Sequence, residues 1–367
     1  MKYRHTRFFA IFLFFLLFLK HNFLFAGLVN DEVFTVRNIL VNISSTSSVK
    51  AKEIALLEAQ EKGFKTLMNK ILLKNEYEKI LENLDTEKIL GFVQEIEIES
   101  ENTTSVSYIG SILVKFKKDK ILSFLKKSNI KFSITKSKPL LILPIYKFGG
   151  VTYLWDDKNI WKDLWSETTN DTGLIPIKAS EGRFSDFIYI NPNQALKKNL
   201  KNLKKIADSH NSNGILLAIL KKRYNRDKSK VILMLDLSIH RFDANKTNNF
   251  EDIIETDIED YSDNLLTQAK LKVENFVNNQ WKVANILSTS TNNIKLKIHY
   301  DNLKEWVEIR DLVKNIPIVI NYKIEKFSKD FVEIYLLFSG NYNQLKVALK
   351  QSDLEFNINE KSVTLNK

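Results

Sequence analysis

Trp155, Trp161 and Trp165 place three of the chain's five tryptophans within eleven residues, interleaved with Asp156, Asp157 and Asp163. A tryptophan offers a large apolar surface with one N–H donor, and a carboxylate offers charge and hydrogen-bond acceptance. Together they could form an aromatic platform with a polar rim, suited to a sugar ring, a peptide or a partner helix. If Asp157 or Asn159 caps a helix, Trp161 and Trp165 stack at i,i+4 while Trp155 leads in from a strand. The competing use of the same residues is an aromatic cluster that closes a core. The candidate binding set is therefore Trp155, Asp156, Asp157, Trp161, Asp163 and Trp165. Acid–base or hard-metal chemistry at Asp156 and Asp157 is disfavoured, because adjacent strand positions face opposite ways.

Little else in the chain has reactive spacing. There is no cysteine, which removes thiolate catalysis, disulfides, cysteine–zinc sites and a lipid-modified cysteine at a signal junction. Beyond the first 26 residues only His210, His240 and His299 remain, with no HxxxH or HxH spacing. No GxSxG elbow, GxxxxGK[ST] loop or GxGxxG loop occurs, and Gly149-Gly150 reads as a hairpin turn. No catalytic residue, metal site or cofactor is expected. Lys197, Lys201, Lys204 and Lys205 can share one helical face, and Arg223, Arg226, Lys228 and Lys230 sit in one turn. Either group could lie on an anionic membrane surface. Ordinary solvation is preferred, because the apolar side of that helix lacks tryptophan.

The first residues supply an address. Lys2, Arg4 and Arg7 precede the apolar run Phe8 to Leu19, and Ala26 offers a small residue at a cleavage point. Those twelve residues have the length of a signal-peptide core, whereas a membrane-spanning helix needs about 20. Residues 1–26 are expected to be a signal peptide that sends the chain to the periplasm. The alternative is an uncleaved inner-membrane anchor over Phe8 to Val29. The net charge is +11, and removing the four cations of the first 26 residues leaves +7. Such an excess suits anionic headgroups or acidic envelope polymers, or is simply spread over solvated faces; nucleic acid is not an expected partner of an exported chain.

The elements that must position these residues read as α+β in three modules, with mixed or antiparallel sheets and helices on one face. Residues 27–137 begin with a strand, Val33 to Ile43, and a helix, Val49 to Leu73, whose apolar stripe includes Phe64, Leu67, Met68 and Ile71. A helix over Glu76 to Phe92, a hairpin around Asn102-Thr103-Thr104 and a helix over Lys120 to Lys127 follow. Ser137-Lys138-Pro139 punctuates the chain. Residues 138–288 open with Leu140 to Ile145, an unbroken apolar run expected to be covered on both faces. Extended pieces at Gly173 to Ile177 and Phe187 to Ile190 precede a helix that Asn191 and Pro192 start and Asn213-Gly214 stops. A hairpin, Ile215 to Lys221 with Val231 to His240, and a helix from Ser262 to Ile286 complete the module; Asp243 to Asn249 reads as a polar stretch. Residues 289–367 show the βαββαβ order of a ferredoxin-like unit.

The succession Leu140-Leu141-Ile142-Leu143-Pro144-Ile145-Tyr146, Gly149-Gly150, Leu154-Trp155-Asp156-Asp157, Asn159 and Trp161 to Trp165 resembles an uncharacterised family of exported proteobacterial proteins. The C-terminal pattern of Trp306, Ile309, Leu312, Gly340, Leu345, Leu349 and Leu354 is similar to the tail of the same family. The resemblance implies an envelope address and brings no reaction, cofactor or catalytic residue with it. The expected function is non-catalytic, a binding or assembly module with an envelope protein or cell-wall partner. Its rivals are a membrane-tethered subunit and an envelope hydrolase acting through the Trp/Asp segment.

Overall fold

β1 (Thr35–Ser44) and α1 (Ser48–Ile71) set the first pair of layers. The Ser47 hydroxyl accepts from the Lys50 N–H at 3.3 Å and so caps the helix. Ala51, Ala55 and Ala59 recur every four residues and are fully buried, so the helix axis can approach the sheet closely; Phe64, Leu67, Met68 and Ile71 continue the stripe. Gly63 marks the tightest approach, where a Cβ would stand 2.9 Å from Ile39 Cδ1. β3 (Ser107–Phe116) lies between β1 and β2 (Val93–Thr103), antiparallel to both. The single helix expected over Glu76 to Phe92 is two, α2 (Lys74–Leu81) and α3 (Thr86–Phe92). Asp85 starts the second, accepting from the Lys88 N–H at 2.8 Å. α4 (Lys118–Lys127) closes the module.

This computed structural model describes residues 32–365 apart from 83–84, 167–172, 181, 226, 243–245, 258–262, 289 and 358. The expected signal peptide or anchor lies outside the described residues, as do Arg226, Ser262 and part of the polar stretch from Asp243.

In the central sheet β4 (Leu140–Phe148) pairs in parallel with β7 (Gly214–Asn225) on one side. Its other side holds β5 (Val151–Tyr153), antiparallel, and β6 (Ile177–Ala179), parallel. β8 (Lys230–Arg241) and β9 (Lys246–Asp257) extend the sheet in antiparallel fashion beyond β7. β9 is a strand the sequence hides. Its polar run pairs along the full length of β8 at the sheet edge, where a strand has no second neighbour to bury it.

Alternate residues of β4 and β7 serve two cores. Leu141, Leu143, Ile145, Ile215, Leu217 and Ile219 meet one helical layer, while Ile142, Tyr146, Leu216, Ala218 and Leu220 meet the other. Helices therefore cover both faces of this sheet, and one face of the other two. On the first side lie α6 (Phe184–Tyr189), α7 (Pro192–Leu196) and α8 (Leu200–Ser209). On the second lie α5 (Ile160–Ser166) and α9 (Asp263–Ala284). Two expectations change here. Phe187 to Tyr189, expected to be extended, is helical. The helix expected from Pro192 onward is broken where Lys198 takes φ 51° and Asn199 caps afresh, accepting from the Asn202 N–H at 3.3 Å.

The C-terminal module runs β10 (Thr291–His299), α10 (Leu303–Lys314), β11 (Val319–Phe327), β12 (Phe331–Ser339), α11 (Tyr342–Gln351), β13 (Leu354–Asn357) and β14 (Ser362–Leu365). The sheet order β11-β12-β10-β14-β13 is ferredoxin-like through β12. It departs at the end, because β14 lies parallel to β10 and places β13 at the edge.

The stretch around Pro139 bonds to all three modules. The Ser133 N–H donates to Ile71 O, Leu287 donates to Phe132 O, and Lys138 N–H donates to Gln351 Oε1. Trp281 Nε1 donates to Thr135 O at 2.6 Å, and the neighbouring Lys282 ammonium donates to Asn69 O at 2.9 Å and Leu72 O at 2.6 Å. Asp31–Lys367 is one compact unit, with a core that passes through every module.

Candidate functional site: the Trp155 segment and the face of α6

Asn159 organises the tryptophan segment. Its amide donates to Pro144 O at 2.8 Å and Leu154 O at 2.9 Å, and its carbonyl accepts from the Lys162 N–H at 3.0 Å. This fully buried side chain ties the loop to β4 and caps α5 as the sequence suggested. Trp161 and Trp165 then project from one side of α5 and meet edge to face, with centroids 5.6 Å apart. Trp161 is 0% exposed and donates from Nε1 to Ala218 O at 2.9 Å, while Trp165 is 5% exposed beneath the Lys270 ammonium. Neither offers a face to solvent.

Trp155 goes the other way. Its Nε1 donates to Ile190 O at 2.9 Å, and its ring packs against Phe187 at 5.7 Å. Asp156, Asp157 and Asp163 are exposed. The six expected residues thus divide into two buried rings on one side of the sheet, three solvated carboxylates, and Trp155 at the base of α6.

α6 is held rigidly for a helix of one and a half turns. Buried Asp186 accepts from the Ser180 hydroxyl and, at 3.1 Å, from the Arg183 N–H through one carboxylate oxygen. Its other oxygen lies 2.9 Å from His210 Nε2, at the end of α8. Asn202 Nδ2 donates to Tyr189 O at 2.6 Å, fixing the far end of α6 to the same helix. Gly182, at φ +72°, makes the turn that brings the Ser180 hydroxyl under its own N–H.

Serine, aspartate and histidine meet here, but the carboxylate sits between the other two. A nucleophilic triad needs the imidazole in the middle, where it can take the hydroxyl proton. This cluster is a clamp.

The clamp presents three large apolar side chains outward. Phe184 is 82% exposed, Ile188 66% and Phe187 51%. They occupy i, i+3 and i+4 of one helix, a stripe that would normally turn inward. Asp186 takes the inward position instead. The sequence signal was present in Phe184-Ser-Asp-Phe-Ile-Tyr189, and its shortness made it read as extended.

Exposed Arg183, Lys197, Lys201, Lys204 and Lys205 share this helical layer, since Leu203, Ile206 and Ala207 take the inner side of α8. The acidic groups described between Gly182 and His210 are Asp186, which is buried, and Asp208, which is paired with Lys204. Chemically the arrangement can bury apolar surface and attract anions.

No family model and no curated protein matches the chain. Among solved structures, that of lipoprotein GNA1162 from Neisseria meningitidis is similar over 38% of this chain and 96% of its own, with 11% sequence identity and a TM-score of 0.26. A likeness that loose carries no argument. Among the described residues no helix is long and apolar enough to cross a membrane.

Proposed function

We propose that this chain is an exported protein of the bacterial envelope, residing in the periplasm, that works by binding through the outer face of α6 rather than by catalysis. The observation that carries the reading is the clamp: a buried carboxylate with three donors around it holds a short helix so that Phe184, Phe187 and Ile188 stay in water. Large apolar side chains clustered on a rigid surface element mark an interaction site. The basic, then apolar N-terminal sequence and the resemblance to exported proteobacterial proteins support the address. Trp155 belongs to the site as the floor under Phe187, and the exposed Asp156 and Asp157 follow it in the chain.

The test is cell fractionation of the wild type against Phe184→Ser/Ile188→Ser, with equal melting temperatures establishing that both fold. The wild type is expected to pellet with the envelope, and the variant to appear in the osmotic-shock fluid. Identical distribution of the two, or retention of the wild type in the cytoplasm, overturns the reading.

A further inference from the structure

Taking α6 as the binding face, we infer that its partner is an anionic phospholipid surface, into which Phe184 and Ile188 insert while Lys197 and the lysines of α8 engage headgroups. Charge selects this occupant. Phe184 and Ile188 stand on a layer whose outward charges are Arg183, Lys197, Lys201, Lys205 and the Lys204–Asp208 pair, an excess of cations without a matching carboxylate among the described residues of that layer. Aromatic and aliphatic side chains flanked by lysine stems suit the boundary between headgroups and acyl chains, where rings bury and ammonium groups stay in water. A hydrophobic protein partner would be served by the apolar stripe alone; the surrounding lysines add nothing to it and add roughly one headgroup attraction each on an anionic leaflet.

Rigidity matters as well. Because Asp186, His210 and Asn202 fix α6 at both ends, the face meets the bilayer without an ordering step.

The absence of cysteine gives a clean probe. Full-length protein carrying Ile188→Cys, labelled with the environment-sensitive fluorophore NBD, is mixed with phosphatidylcholine vesicles with or without about 30% phosphatidylglycerol. The emission is expected to shift to the blue only with the anionic vesicles and to return in about 0.5 M NaCl. Lys201→Glu/Lys205→Glu in the same background should reduce binding roughly tenfold. Label at Ile320→Cys, an exposed position of β11, should not respond, which separates this face from any attachment through the N-terminal residues. No shift at 188, an equal shift with neutral vesicles, or an equal shift at 320 overturns the inference. If the shift is absent while Phe184→Ser/Ile188→Ser still leaves the envelope fraction, the partner is a protein and the binding reading survives; if both effects are absent, both fail.

Discussion

Raising the pH from 8 to 10 should stabilise this protein, and one buried ammonium is the reason. Lys282 projects from the last turn of α9 into the junction with α1, where it is 5% exposed and donates to two carbonyls of the end of that helix. No carboxylate among the described residues pairs with it. Burial pulls its pKa down from 10.5 to about 8. The unfolded chain therefore holds a proton on this lysine through a pH range in which the folded chain has lost it, and stability rises with pH across that range. While both states are charged, below about pH 8, the penalty is about 3 kcal/mol. About 2 kcal/mol of it is relieved by pH 10. Other groups act in the same window: Lys221, lowered from 10.5, adds to the gain, while Tyr77 and Tyr108, which burial raises, take stability away as pH nears 10. Urea unfolding of the wild type and Lys282→Met at pH 8, 9 and 10 isolates the effect. At pH 8 the variant loses two hydrogen bonds as well as the buried charge, so its absolute stability is not the diagnostic quantity. The slope is. Because the methionine variant keeps those other groups, the wild type should gain about 2 kcal/mol more than the variant between pH 8 and 10. Parallel slopes would refute the reasoning.

Acid should act through His240, whose ring is buried with Nδ1 against the Thr247 hydroxyl at 3.1 Å and Nε2 unpartnered. Burial, with Lys198 nearby, lowers its pKa below 6.5, so stability is lost as pH falls below the unfolded value; His240→Gln should flatten the wild-type decline in melting temperature between pH 6.5 and 4.5. Asn159→Asp sets a carboxylate against Pro144 O and Leu154 O in place of a donor, and should cost about 3 kcal/mol or more by chemical denaturation. Trp161→Ala opens a cavity under the central sheet and removes the indole donor to Ala218 O; a loss of about 3–5 kcal/mol is expected, and a loss below about 1 kcal/mol would mean that the ring is not core. Asp186→Ala leaves Ser180 and the Arg183 N–H without their acceptor, and should raise hydrogen exchange in α6 well above that in α8.

Sequence patterning foretold the elements whose apolar period is long or whose caps are explicit. The α1 stripe of Phe64, Leu67 and Met68, the unbroken Leu140 to Ile145 run, and the Asn191 cap accepting from the Gln194 N–H at 2.9 Å all appear as expected. It missed β9 because an edge strand needs no apolar alternation, and it missed the restart at Asn199 because a lysine-rich stretch carries few breaker signals. The candidate site was readable only in part. Tryptophan type and spacing cannot tell which side of a helix meets a sheet, and α5 turns Trp161 and Trp165 inward. The outward stripe of α6 depends on Asp186 finding Ser180, Arg183 and His210, contacts spanning up to 24 residues of chain that no local pattern reveals.

Hydroxyl-radical footprinting of the native protein, in intact envelopes and after purification, tests the central claim most directly, because it asks whether the α6 face is covered where the protein works. Phe184 and Phe187 should be protected in the envelope relative to Phe327, which is 53% exposed on β11 and serves as the internal reference. Equal modification ratios for Phe184, Phe187 and Phe327 in the two preparations would contradict the account.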